Sequence, residues 1–298
     1  HATDSSSPAY DLTLSEVVTT GLAWSNNVTN ISGPAFTWDT SGLPEVVFAW
    51  DEVDTYYNQA YPVSFSFDVT LEPSVIPGQV LPDTVDLRWT SVPGDPGQVS
   101  PYNPDSYQRT GDPSDPGGAL NDYNDEDNDA ITVNNGLVLE KLLLGDGNAA
   151  VAETFQYRVT MPLIEGTMPD VLLADTLDAG LAFVSQDAFA VDPSISFSGS
   201  TEPVVTDQGG TVTWNFGTIV NPPGPAADTV VITYTVCPTN TAGNQDGTLL
   251  DNQVEMTFAG GPPSWAAASE TEVVEPALTV QKSLSTQTGE AGDTVTVT

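Results

Sequence analysis

Short runs in which apolar and polar residues alternate recur along this chain, separated by clusters of Gly, Pro, Asn and Asp. Alternation with a period of two is the mark of a strand with one buried face. In Leu12-Thr13-Leu14-Ser15-Glu16 it puts Leu12, Leu14 and Glu16 on one side. In Leu250-Asp251-Asn252-Gln253-Val254-Glu255-Met256 it puts Leu250, Asn252, Val254 and Met256 together. The 25 Gly and 24 Pro punctuate these runs too often for helices, and the runs are rich in Val, Thr and aromatics. The pattern predicts an all-β protein of antiparallel sheets.

The runs also repeat. Leu137-Val138-Leu139-Glu140-Lys141 matches Leu278-Thr279-Val280-Gln281-Lys282, and each is followed by a Gly-containing turn and a further strand. Leu12-Thr13-Leu14-Ser15-Glu16 through Trp24 matches Val171-Leu172-Leu173-Ala174-Asp175 through Phe183, and the run from Val80 to Leu87 matches that from Leu249 to Met256. Residues 1–134 therefore read as a repeat lacking its opening strands, with a long acidic Pro/Gly/Asp loop over 93–129. Residues 135–275 read as a complete repeat. Residues 276–298 read as the opening strands of a further repeat or as a donor-strand segment. The chain starts at His1 and stops inside an alternating run, as a processed product or a fragment would.

Charge narrows the function. Five Lys and Arg stand against 41 Asp and Glu, a formal net charge of −36. Such a surface repels nucleic acid and anionic lipid, whose phosphates need Lys or Arg. No apolar stretch is long enough to cross a membrane as a helix. The single cysteine, Cys237, cannot form an internal disulfide, so an extracellular chain would need another kind of cross-link.

The Leu-Val-Leu-Glu-Lys repeat start, the segment Asp175-Thr176-Leu177-Asp178-Ala179-Gly180-Leu181-Ala182-Phe183, the strand Leu250-Asp251-Asn252-Gln253-Val254 and the stretch from Arg109-Thr110-Gly111 to Asn121-Asp122-Tyr123 resemble the conserved-repeat domain of large bacterial surface proteins. The resemblance implies tandem immunoglobulin-like β-sandwiches, placement at the bacterial cell surface, and kinship with pilin and adhesin stalk domains.

The chain's only two lysines both fall on apolar faces, Lys141 with Leu137 and Leu139, and Lys282 with Leu278 and Val280. Acids point the same way: Glu16 in the first repeat and Asp175 in the second. Asn252 is inward near the end of the second repeat, and Asp83 stands at the corresponding place in the first. A buried ammonium must be paired or neutralised. A lysine, an acid and an Asn or Asp in one apolar core are the parts of a spontaneous isopeptide bond, in which ammonia leaves from Asn or water from Asp. The resemblance to pilin and adhesin domains implies that bond between Lys141 and Asn252, assisted by Asp175. A buried Lys–Asp ion pair is the alternative. Lys282, Glu16 and Asp83 form a second set, expected to meet between copies of the chain or between adjacent repeats.

Asp122, Asp125, Asp127 and Asp129 resemble the start of a calcium loop, although Ala130 and Gly136 replace its glycine and closing glutamate. A solvated charged loop is the alternative. His1 is the only histidine, which removes Ser-His-Asp, Cys-His and histidine–metal sites, so no enzyme is expected. The sequence reads as an extracellular structural repeat, a filament subunit or stalk assembled head-to-tail, whose C-terminal strands complete the N-terminal sandwich of the next unit. Its partners are copies of itself or adjacent repeats. A calcium-dependent adhesin or carbohydrate-binding module is the other reading.

Overall fold

A computed structural model describes residues 8–54, 63–112, 114, 123–206, 210–224 and 228–298. The protein is all-β, built from several small sheets arranged as tandem immunoglobulin-like sandwiches. Among the described residues every strand pair is antiparallel except that of β11 with β22.

The first part of the chain carries β1 (Ala9–Val17), β2 (Leu22–Ser32), β3 (Thr37–Asp39), β4 (Glu45–Val53), β5 (Ser64–Leu71), β6 (Val80–Thr90), β7 (Val99–Ser100), β8 (Asn103–Tyr107) and β9 (Asn124–Thr132). A five-stranded sheet in the order β3-β4-β1-β6-β9 packs against the pair β2-β5. Between them lies an aromatic core in which Phe48 on β4 meets Phe65 and Phe67 on β5 at centroid distances of 4.5 and 5.7 Å.

The second part carries β10 (Glu140–Leu144), β11 (Asn148–Ala149), β12 (Phe155–Pro162), β13 (Gly166–Leu177), β14 (Leu181–Ala190), β15 (Ser196–Phe197), β16 (Val204–Thr206), β17 (Thr211–Asn221), β18 (Thr229–Pro238), β19 (Leu249–Leu250), β20 (Asn252–Thr257), β21 (Ser264–Ala267) and β22 (Thr271–Val273). One sheet runs β10-β12-β18-β14 and the facing one β15-β17-β13-β20-β21, with β16 also on β17 and β19 and β11 joined to β22. Alternation is strict on β18, where Val230, Ile232, Tyr234 and Val236 are completely buried.

The two parts share one topology. β1, β4 and β6 correspond to β13, β17 and β20: Glu16 pairs with Val46 and Val85 as Asp175 pairs with Val212 and Val254. β2 and β5 correspond to β14 and β18: Leu22 pairs with Leu71 as Leu181 pairs with Pro238. The second part has β12 and β10 beyond β18, whereas among the described residues β5 pairs only with β2. Burial follows from this difference. Leu173, Val254 and Met256 are completely buried, while their counterparts Leu14, Val85 and Leu87 are half-buried.

Two expectations need correction. The acidic run at the end of the 93–129 stretch is not a loop: residues 124–132 form β9, paired along its length with β6 from Val80 to Arg88. Its backbone is satisfied by the ladder while every side chain reaches water, which lets an acid-rich segment sit at a sheet edge. Residues 278–282 were expected to alternate as a strand, yet no ladder forms there. Leu278 and Val280 are 91% and 94% exposed. Only the far end of that segment pairs, through a bridge between Leu284 and Val297 flanked by hydrogen bonds between Ser283 and Thr298 and between Ser285 and Thr296.

The parts meet through backbone contacts. Thr167 N–H donates to the Val75 carbonyl at 3.0 Å and its hydroxyl to the Pro73 carbonyl at 3.0 Å. Gly78 and Gly260, at φ of +75° and +88°, press together so closely that a Cβ on Gly78 would lie 2.1 Å from the Gly260 oxygen.

Candidate functional site

In the second sandwich three strands converge on one buried polar cluster. β10 supplies Lys141, held inward by its neighbour Leu139. β13 supplies Asp175, two residues after the buried Leu173. β20 supplies Asn252, two residues before the buried Val254. Lys141 Nζ donates to Asp175 Oδ2 at 2.6 Å, with both side chains sealed from solvent. The Tyr234 hydroxyl donates to the same oxygen. Asn252 Nδ2 donates to the Tyr234 hydroxyl at 3.1 Å. The Lys141 nitrogen lies 5.1 Å from the ring centroid of Tyr157 and 5.8 Å from that of Tyr234. Trp214 and Phe183 close the far side of Tyr234.

Burial sets the electrostatics. Desolvation lowers the Lys141 pKa to about 8, outweighing the pull of Asp175 toward the charged form. The same desolvation raises the Asp175 carboxyl, against the opposing effects of Lys141 and Tyr234. Ion-pair geometry and the directions of the two shifts thus point different ways. The loss of water around both groups exceeds their mutual attraction, as expected of a sealed pair. A neutral amine beside a protonated acid is within reach. Two oxygens, Asp175 Oδ1 and Asn252 Oδ1, are buried without a hydrogen-bond partner. A proton on Asp175 would give the cluster one more donor for them.

The first sandwich repeats the site without its lysine. Register places Glu16 where Asp175 stands, Asp83 where Asn252 stands and Phe67 where Tyr234 stands. Glu16 is 1% exposed and its Oε2 is buried without a partner. Burial, with hydrogen-bonding and repulsion from the Asp83 carboxyl, pushes its pKa up to about 8. Lys282 lies elsewhere, on the exposed segment 276–298.

Asp125, Asp127 and Asp129 point to solvent from β9. Alternate residues on a strand are about 7 Å apart, too far for three of them to ligate one ion from a straight ladder. Asp122 lies outside the described residues. Among the described residues, no group of three or more His, Cys, Asp or Glu is placed to hold a metal ion. Among these residues, too, no helix is long and apolar enough to cross a membrane.

Sequence reasoning missed Tyr157 and Tyr234, whose rings and hydroxyls wall the cluster. Their signal was present: each alternates with apolar neighbours on a strand, so each hydroxyl had to find a partner inside the core.

A scan against protein-family models matches none, and a search of curated proteins finds no relative. Among solved structures, the pilus backbone RrgB from Streptococcus pneumoniae is similar at 15% identity and a TM-score of 0.33, over 43% of this chain and 32% of that one. The major pilin BcpA of Bacillus cereus is similar at 11% identity and 0.35, over 89% and 64%. The C-terminal domain of the antigen I/II-family protein AspA from Streptococcus pyogenes is similar at 10% and 0.35, over 87% and 84%. The chain thus spans about a third of the pneumococcal chain's length. Likeness at this level assigns no function.

Proposed function

We propose that the chain is a structural module of an extracellular bacterial stalk or filament, stiffened by an internal isopeptide bond and extended head-to-tail by strand addition. The observation that carries this reading is the shared topology of the two sandwiches. Among the described residues β5 lacks the neighbour that β18 has in β12, and residues 276–298 carry a second copy of that missing hairpin. Its bridge, Leu284 with Val297, repeats the pairing of Leu143 with Tyr157 between β10 and β12. An unpaired edge beside a half-covered aromatic core favours addition of a strand pair from outside. Because donor and acceptor surfaces differ, the contact propagates instead of closing. Cell-surface placement rests on the resemblance of the repeat motifs.

In the second sandwich the neutral Lys141 amine attacks Asn252 Cγ. The Nζ–Cγ bond forms, the Cγ–Nδ2 bond breaks, and ammonia leaves. Asp175 carries a proton from the attacking nitrogen to the departing one. The product removes the buried charge and the need for a counter-ion. Such a bond ties the first strand of the sandwich to the β20 end, so that tension along the chain bypasses the hydrogen-bond ladders between them.

Negative-stain microscopy of the purified chain tests the assembly. Filaments are expected from the full sequence and none after deletion of residues 277–298. Filaments that persist after the deletion would refute strand addition by this segment.

A further inference from the structure

We propose that Asp83 and Glu16 are the receiving site for Lys282 of a second copy of this chain, and that Lys282 and Asp83 become joined there by an amide bond. The inference rests on the strand-addition reading above, and deepens it from contact to covalent linkage.

Three observations converge. Register places Glu16 and Asp83 on the positions of Asp175 and Asn252, and the match of the Leu284–Val297 bridge to the Leu143–Tyr157 pair places Lys282 on that of Lys141. Lys282 stands two residues before the bridged Leu284, as Lys141 stands two before Leu143. A hairpin laid on β5 in that register sets Val297 opposite Phe67 and Val295 opposite Val69, as Tyr157 and Phe155 lie opposite Tyr234 and Val236. These are apolar partners for a half-covered core, and both valines are exposed in the single chain.

The second observation is an incomplete polar site. Glu16 Oε2 is sealed from water yet has no hydrogen-bond partner. A buried acceptor left in this state is costly and calls for a donor. Among the described residues the rest of this core is apolar except for the indole N–H groups of Trp24 and Trp50, which are buried without a partner of their own and do not reach Glu16, and Phe67 cannot replace the Tyr234 hydroxyl. An entering ammonium supplies the missing N–H groups.

The third observation is charge. Lys141, Asp175 and Asn252 balance as one cation, one anion and one neutral group. Lys282, Asp83 and a protonated Glu16 balance in the same way. Among the described residues the only other cations in the first part are Arg88, engaged by Asp86 at 2.7 Å, and Arg109. Lysine is the cation that can also react, since its amine loses a proton on burial.

The step balances without an added reagent. The ammonium of Lys282 passes one proton to Asp83, leaving a neutral amine beside a neutral acid. Nζ attacks Asp83 Cγ, the N–C bond forms, and a C–O bond breaks. Glu16 gives its proton to the departing hydroxyl and takes up the one released by nitrogen, so water leaves and Glu16 ends as it began.

The full chain is concentrated, then sized under native conditions and again after boiling in denaturant, alongside Lys282→Ala and Asp83→Asn. The expected result is a native polymer that persists as a denatured ladder in steps of the 31.3 kDa chain. Peptide mapping should find a Lys282–Asp83 cross-link lighter than its two peptides by about 18 Da, falling to about 17 Da in Asp83→Asn because ammonia replaces water as the leaving group. Lys282→Ala, on an exposed segment, should fold and give no ladder. A native polymer that boils to single chains would overturn the bond and leave strand addition standing. A chain that stays monomeric under native conditions would overturn both. A ladder surviving Lys282→Ala would overturn the assignment of the lysine.

Discussion

Replacing Asp175 by Asn keeps the size of the side chain but removes the carboxyl that the reaction uses to carry a proton between the two nitrogens. If Lys141 and Asn252 are joined in the native protein, this substitution should leave them separate. The bond closes a loop of about 110 residues, and the chain-entropy relation then gives a stabilisation of about 5 kcal/mol at 25 °C. For a sandwich of this size, each kcal/mol moves the melting temperature by about 2–4 °C, so loss of the bond should lower Tm by about 10–20 °C. Part of any drop would come from the lysine that Asp175→Asn leaves buried without its partner. Lys141→Met separates the two effects, because it removes the bond and the charge together while keeping the volume. Intact mass is the primary assay. Wild-type protein should weigh about 17 Da less than its sequence for this one bond, and both variants should show the full sequence mass. A wild-type mass equal to the sequence mass would refute the reasoning, and so would loss of ammonia in Asp175→Asn at the wild-type rate. In the first case the cluster is an ion pair alone; in the second the bond forms without a proton relay at Asp175.

The Glu16 carboxyl has a raised pKa in the folded state, so its contribution to stability is complete below the unfolded value of about 4.5 and is lost as pH rises through about 8. Thermal melts of the first sandwich should accordingly show a lower Tm at pH 9 than at pH 5, and Glu16→Gln should flatten that difference. A slope unchanged by Glu16→Gln would place the effect in the general acidity of the surface. Tyr234→Phe removes the hydroxyl that donates to Asp175 and accepts from Asn252, and should lower Tm by the equivalent of about 1–3 kcal/mol while slowing bond formation in freshly made protein. Gly78→Ala places a Cβ against the Gly260 carbonyl and should loosen the junction between the sandwiches, read as faster proteolysis near residues 73–78 with little change in the Tm of the second sandwich. Calcium and chelator should leave the Tm unchanged, because the acids of β9 are spread along a strand. A calcium-dependent rise would mean that residues 122–129 gather around an ion.

Much of this architecture is written in one-dimensional patterns. Alternation assigned Leu12, Leu14 and Glu16 to one face, and Leu250, Asn252 and Val254 to another, because a strand's side-chain period is fixed by backbone geometry. The self-match at Lys141 and Lys282 exposed the repeat, and the chain's scarcity of lysine made both positions conspicuous. Pattern alone could not decide whether a strand has a surface to bury against. Residues 278–282 alternate as well as residues 137–141, yet they stay exposed, because burial needs a partner sheet and in the single chain the second sandwich already holds its own hairpin. Nor could composition place the acidic run: Asp, Asn and Glu favour loops, but the edge of β6 offers nine consecutive pairings to residues 124–132 and leaves their charges in water. The candidate site divides the same way. Residue types and faces named Lys141, Asp175 and Asn252, whereas tyrosines from β12 and β18 became part of the site only when the sheets were stacked. The cost of keeping the lysine charged was likewise decided only in three dimensions, because desolvation depends on everything packed around a group and not on its neighbours in the chain.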